Sequence, residues 1–206
     1  KLLKKNSQDF DLLYALGLSA ISLQNYSDAE KFLKRTLNLK KTAYIFYIYG
    51  NVQSKLKNYT QAIEAFKNAL NLNPKFSEAY NNLANAYKLI NQIDDAIINY
   101  NNSIKQEKKN LTAYFNLAVL FKEKKNYEES KKIYKKILSE DENNLTAKHD
   151  IGAIESVLGN FVSARKYFID SINQNISNFK SFKNYIEITD INKDDTVFKK
   201  LQGISV

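Results

Sequence analysis

An alanine or serine returns along this chain at a nearly constant interval. Ala29, Ala62, Ala96, Ser130 and Ala164 are separated by 33 residues at the first step and by 34 at each of the others. Each stands in a similar frame: "NYSDAEKFLKRTL", "NYTQAIEAFKNAL", "QIDDAIINYNNSI", "NYEESKKIYKKIL" and "NFVSARKYFIDSI". Ahead of each lies another stretch with apolar residues three and four apart, such as "LLYALGLSAISL" or "AYNNLANAYKLI". That spacing predicts an amphipathic helix, so every period holds two. Such a unit cannot bury its apolar face by itself, and several must stack to share one core. The period therefore constrains the chain to an all-helical array before any single residue is considered.

Composition fits that array. Five Gly and one Pro leave few helix breakers. The one proline, Pro74, falls between "ALNLN" and "SEAYNNLANAY", where it stops one helix before the next begins. No run of about 18 apolar residues predicts a membrane span, and no signal peptide is visible. The absence of Cys excludes disulfides and thiolate metal sites. These features lean towards an intracellular, cytoplasmic protein. A net charge of +9 invites a nucleic-acid reading. Yet only Arg35 and Arg165 among the 31 basic residues are arginine, and phosphate and base recognition leans on arginine forks. A solvated lysine surface is the better account and argues against a nucleic-acid partner.

Units counted from residues 10, 43, 77, 111 and 145 place Gly17, Gly50, Ala84, Ala118 and Gly152 at position eight. Position twenty holds the recurring alanines and Ser130; position twenty-seven holds Thr36, Ala69, Ser103, Ile137 and Ser171. Small side chains let two helices approach closely. Large ones fill the spaces between: Phe46, Tyr80 and Tyr114 at four, Tyr87 and Phe121 at eleven, and Phe66, Tyr100, Tyr134 and Phe168 at twenty-four. These aromatics are expected in the core rather than around a cofactor. Ile137 is large for its slot and predicts looser packing there. Gly closes the turn between helices only at Gly159, while Gln24, Lys57, Asn91 and Lys125 occupy that place elsewhere. The Asn that follows in most units (Asn25, Asn58, Asn126, Asn160) is expected to help close the turn.

Period, helix pairing and the small–large pattern together resemble the tetratricopeptide repeat family over nearly the whole chain. The resemblance implies an all-α, right-handed solenoid of helix-turn-helix repeats. Residues 1–9 read as the end of a preceding repeat. Five units follow at 10–42, 43–76, 77–110, 111–144 and 145–178, and 179–206 hold a partial repeat and a C-terminal capping helix. In that repeat, Phe182 and Tyr185 are expected to pack, and Asp194 or Asp195 to cap a short helix. The resemblance also implies a concave groove lined by first helices, and a scaffold that binds a protein or an extended peptide. A second likeness is shorter. The aromatic-rich "NFKSFKNYIEITDI", followed by Asp-Asp and a helix, is similar to the segment after the repeats in bacterial tetratricopeptide proteins that carry a sulfotransferase domain. It implies the alternative that the array is the substrate-recruiting or assembly arm of a larger enzyme.

No catalytic constellation is visible. His149 is the single histidine, and no Gly-rich phosphate loop or H-E-x-x-H motif occurs. The chain reads as non-catalytic, with no cofactor or metal. Acidic pairs such as Asp94–Asp95 and Glu128–Glu129 stand at the starts of second helices, where they complement the positive helix end. His149 lies on the expected groove face at position five, though a solvated surface histidine is the simpler reading. Position six carries Asn82, Asn116, Asp150 and Asn184, each 34 residues from the next. This resembles the asparagine ladder of the repeat arrays in protein O-linked N-acetylglucosamine transferases. A carboxamide both donates and accepts, so it can pair with any peptide backbone. Asn is common here, at 26 of 206 residues, which weakens the signal. Asn81, Asn85, Phe115, Lys122 and His149 complete the expected groove, with Glu78, Lys88 and Lys183 flanking it. The carboxylate clamp of chaperone-binding relatives fits poorly, because Asn51 at position nine is paired with Tyr47 rather than Lys at five. The geometry also resembles the RNA-reading pentatricopeptide repeats, whose period is 35; a period of 34 disfavours that alternative.

Overall fold

The computed structural model describes residues 9–174 and 179–188. Among them are eleven helices and no strand, so the chain is all-α as expected. The chain divides into two compact units, one ending at Ala113 and the other beginning at Tyr114. The first holds α1 (Phe10–Ser22), α2 (Tyr26–Leu39), α3 (Ala43–Lys55), α4 (Tyr59–Leu72), α5 (Ser77–Leu89) and α6 (Ile93–Gln106). Helix α7 (Leu111–Glu123) starts at the edge of the first unit and runs into the second. The second continues with α8 (Tyr127–Glu140), α9 (Leu145–Val157), α10 (Phe161–Gln174) and α11 (Phe179–Glu187). In the first unit each helix from α1 to α5 packs on its successor; in the second, α8 packs on α9, α9 on α10 and α10 on α11.

The same turn closes five helix pairs. Residues 24, 57, 91, 125 and 159 adopt the left-handed region, with φ of 56°, 63°, 61°, 59° and 79°. The next N–H then reaches back five residues to a helix carbonyl. Asn25 reaches Ala20, Asn58 Gln53, Gln92 Tyr87, Asn126 Phe121 and Asn160 Glu155, all at 2.8–2.9 Å. This is the Schellman closure, which satisfies carbonyls left over at a helix end. The backbone thus closes the turn, and the Asn side chains divide two further tasks. Asn25 and Asn126 accept the N–H groups of Asp28 and Glu129 and so cap the following helix. Asn58 and Asn160 donate back to Gln53 and Glu155.

Only Gly159 enters the left-handed region without a side chain. That region costs an L residue about 1–2 kcal/mol, and the extra freedom of an unfolded Gly takes back part of any gain. Lys57→Gly is therefore expected to stabilise the first unit by about 0.5–1 kcal/mol. Asn91→Gly should gain less, because Asn tolerates the region. Thermal melts of the two variants check this; an unchanged or lower melting point for Lys57→Gly would show that the turn is unstrained.

The core follows the small–large pattern. Ala29, Ala62, Ala96, Ser130 and Ala164 are all fully buried, and Ser130 donates its hydroxyl to the Ala118 carbonyl at 2.7 Å. Phe66, Tyr100, Tyr134 and Phe168 are at most 1% exposed. A Cβ at Gly50 would lie 2.6 Å from the Phe66 ring, and one at Gly152 equally close to Phe168. Position eight must stay small because the ring occupies that space. Ile137 is fully buried despite its size. Pro74 sits in the turn between α4 and α5, where the Asn73 side chain accepts the Lys75 N–H at 3.1 Å.

Position eleven holds Ala20 in the first repeat and an aromatic in the third and fourth; in the second and fifth it holds a buried polar side chain tied to the second helix of the repeat before. Gln53 donates to Glu30 at 2.9 Å in the first unit. Glu155 pairs with Lys131 at 3.3 Å in the second, and Lys131 also meets Glu128 at 3.0 Å. Helix α11 packs Tyr185 and Phe182 against Ala164, Phe168 and Ile172, as expected. Residues 1–8, expected to end a preceding repeat, lie outside the described residues; Asp9 is described and caps α1 by accepting the Leu12 N–H. The expected capping helix with Asp194 and Asp195 also lies outside them, as does most of the sulfotransferase-like tail.

Candidate peptide-binding face

In the first unit, α5 presents Asn82 half-buried against α3. Its Nδ2 donates to Asn51 Oδ1 at 2.8 Å and to the Tyr47 hydroxyl at 3.3 Å, while its Oδ1 accepts from Asn81 at 3.1 Å. Asn81 is buried, and Asn85 accepts the Tyr100 hydroxyl. Both amides therefore serve the fold, and Asn82 remains the candidate rung. The Tyr47 ring packs at a tilt against Phe76 at 4.8 Å, and Tyr44, 57% exposed, lies 6.3 Å from Tyr47. Tyr47 and Asn51 were not foreseen as partners of Asn82. They stand at positions five and nine of the preceding repeat, the places where a carboxylate clamp is sought.

In the second unit, Asp150 on α9 is held by Lys122 from α7, with Nζ 2.6 Å from Oδ1. The Tyr134 hydroxyl is buried and makes no hydrogen bond among the described residues. Burial pushes its pKa well up, and the Asp150 charge beside it adds to the rise. Phe115 meets the Tyr134 ring edge-on at 6.0 Å. Asn116 on α7 and Asn184 on α11 are half-buried. His149 is not the solvated histidine expected. Its Nδ1 lies 2.9 Å from Ser181 Oγ, and its ring packs on Phe168 at 5.7 Å, so it pins α11 to its neighbours. Burial lowers the His149 pKa; Asp150 opposes this, while Lys122 and Lys180 add to it.

In the first unit the first helices thus offer amides that both donate and accept beside an exposed tyrosine; in the second they offer Asn116, Asn184 and the Lys122–Asp150 ion pair. Asp94–Asp95 and Glu128–Glu129 lie in the first turns of α6 and α8. Among the described residues no group of three His, Cys, Asp or Glu could hold a metal ion. No helix among them is long and apolar enough to cross a membrane.

Known repeat families match this chain in part. A TPR repeat family covers residues 50–90, and a tetratricopeptide repeat family covers 77–110 and 111–144. A TPR repeat-containing protein of Methanocaldococcus jannaschii is 36% identical over 72 residues, which are 35% of this chain and 13% of that protein. The photosystem I assembly protein Ycf3 of Cyanophora paradoxa is 33% identical over 88 residues, 41% of this chain and 50% of that one. The chain therefore spans at most half the length of either relative. The solved structure of YrrB, described as a TPR protein with an unusual peptide-binding site, matches with a TM-score of 0.69 at 16% identity. That match covers 89% of this chain and 95% of YrrB and speaks for the fold alone. Tetratricopeptide repeats are thus matched over residues 50–144. None of these three proteins is named a sulfotransferase, so that likeness gains no support from them.

Proposed function

We propose that these tetratricopeptide repeats are a scaffold that binds a protein partner through an extended segment laid along the first-helix face. The observation that carries this reading is the Asn51–Asn82–Tyr47 cluster, half-buried polar groups beside the exposed Tyr44. An extended backbone advances about 3.3 Å per residue and presents donors and acceptors in turn. A carboxamide can meet either kind. The descriptions of YrrB as peptide-binding and of Ycf3 as an assembly protein support the same class of role.

The internal bonds set the expected strength. Asn82 already holds partners, so a ligand exchanges hydrogen bonds rather than adding them. Each exchange is worth about 0.5–1.5 kcal/mol. Backbone contacts alone then give weak, broad binding, and preference comes from flanking side chains such as Tyr44, Glu78, Lys88, Lys122 and Lys183. Asn82→Ala and Asn116→Ala, one in each unit, should each weaken binding of unstructured peptides by roughly two- to tenfold. Both variants should remain folded, with Asn82→Ala melting lower because it gives up its bonds to Asn51, Tyr47 and Asn81. Titration of a peptide library against both variants and the parent tests this. Equal affinities would remove the ladder and leave a partner that docks elsewhere. Steeply salt-dependent RNA binding at moderate salt would favour the nucleic-acid alternative instead.

A further inference from the structure

A cleft of about 490 Å³ opens in the first unit, and none of its lining residues belongs to the Asn82 cluster. Helix α3 supplies the floor with Phe46 and Tyr49. Helices α2 and α4, both packed on α3, supply the walls. Leu37 extends the apolar floor; Lys34 and Lys41 line the α2 side and Glu64 the α4 side. The volume lies in the range of sites that enclose a ligand.

Tyr49 marks this cleft as a departure from the repeat. Position seven is aliphatic in the other four units: Leu16, Leu83, Leu117 and Ile151. Leu83, Leu117 and Ile151 are buried core residues, whereas Tyr49 is half-buried and lines the cleft. Lys34 and Lys41 are exposed, and neither has an ion-pair partner among the described residues. Lys34 stands on α2 and Lys41 just past its end, beyond the extended Lys40, so the two charges lie at separate points of the lining.

We propose that this cleft is a second binding site, separate from the first-helix face, for an acidic peptide segment that carries an aromatic side chain. The aromatic ring stacks on Phe46 and Tyr49. Carboxylates on either side of it reach Lys34 and Lys41. Glu64 repels acid from the opposite wall and so fixes which way the segment lies. The chain's excess of positive charge speeds the encounter with such a partner.

The test uses a fluorescent peptide of Asp and Glu flanking one Phe, followed by anisotropy. One control replaces the Phe with Ser; another replaces the acids with Lys. The acidic aromatic peptide should bind, and both controls should bind at least tenfold more weakly. The double variant Lys34→Glu with Lys41→Glu should weaken binding at least tenfold, since both charges reverse at exposed positions. Tyr49→Leu should weaken it threefold or more with its melting point retained, because Leu is the residue other repeats carry there. Asn82→Ala with Asn116→Ala should leave it unchanged, which separates this site from the first-helix face. The proposal fails if the acidic peptide does not bind, if the Lys peptide binds equally, or if the Lys34 and Lys41 reversals have no effect. It also fails if the asparagine pair is what abolishes binding.

Discussion

Phe66→Ala should remove about 3–5 kcal/mol from the first unit. Phe66 is fully buried, and its ring fills the space beside Gly50. Truncation loses the transfer energy of the ring and leaves a cavity that two helices can close only in part. Changing Gly50 as well isolates what the ring does. In the parent, Gly50→Ala places a methyl 2.6 Å from a ring carbon and should cost about 1–3 kcal/mol through overpacking. In the Phe66→Ala background the same methyl enters the cavity. It then also brings the helix-propensity gain of Ala over Gly, about 1 kcal/mol. Gly50→Ala should therefore change sign between the two backgrounds. Denaturant unfolding of the four proteins gives the coupling directly. An equal cost of Gly50→Ala in both backgrounds would show that the ring does not set the size of position eight.

That pair also shows how far the sequence could be read. Small residues at position eight and aromatics at twenty-four announced a close helix crossing, because spacing on a helix fixes which face a side chain occupies. The turn was legible in place but not in conformation: the sequence marks position fifteen by Gly159 and looks to the following Asn for closure, whereas all five residues take positive φ and the backbone N–H closes the turn. The surface was less legible. The period of Asn82 gives its helix face and makes it a candidate rung, but its partners Asn51 and Tyr47 lie 31 and 35 residues away. Periodicity reports the face of a residue and not what the neighbouring repeat places opposite it. His149 was missed in the same way. Its position gave the helix face, while Ser181, 32 residues on, decides what it does. Tyr49 was readable only as an exception to an aliphatic column, and that became informative once the cleft around it was known.

The junction between α8 and α9 should be nearly as sensitive as Phe66. Lys131→Ala leaves Glu155, 7% exposed, with the Asn160 amide but without its cation. Removing one partner of a buried ion pair costs about 3–5 kcal/mol, because the remaining charge is stranded. Here the Asn160 bond places the loss near the lower end. The first unit contains its own remedy. At the same three positions it holds Glu30, Gln53 and Asn58, joined by two hydrogen bonds of 2.9 Å. Lys131→Glu with Glu155→Gln transplants that arrangement and should recover most of the loss. The pH dependence has a definite sign. Burial pulls the Lys131 pKa down, and the hydrogen bonds to Glu128 and Glu155 more than reverse this, leaving it above the ordinary lysine value. A raised lysine pKa contributes stability that is full below about pH 10.4 and fades as pH rises through the folded value. The stability gap between the parent and Lys131→Ala should therefore hold steady from neutral pH to about 10 and narrow above it. Unfolding free energies measured across that range decide the matter. A gap that stays constant into strong alkali would mean that the lysine contributes by packing its methylene stem and not by its charge.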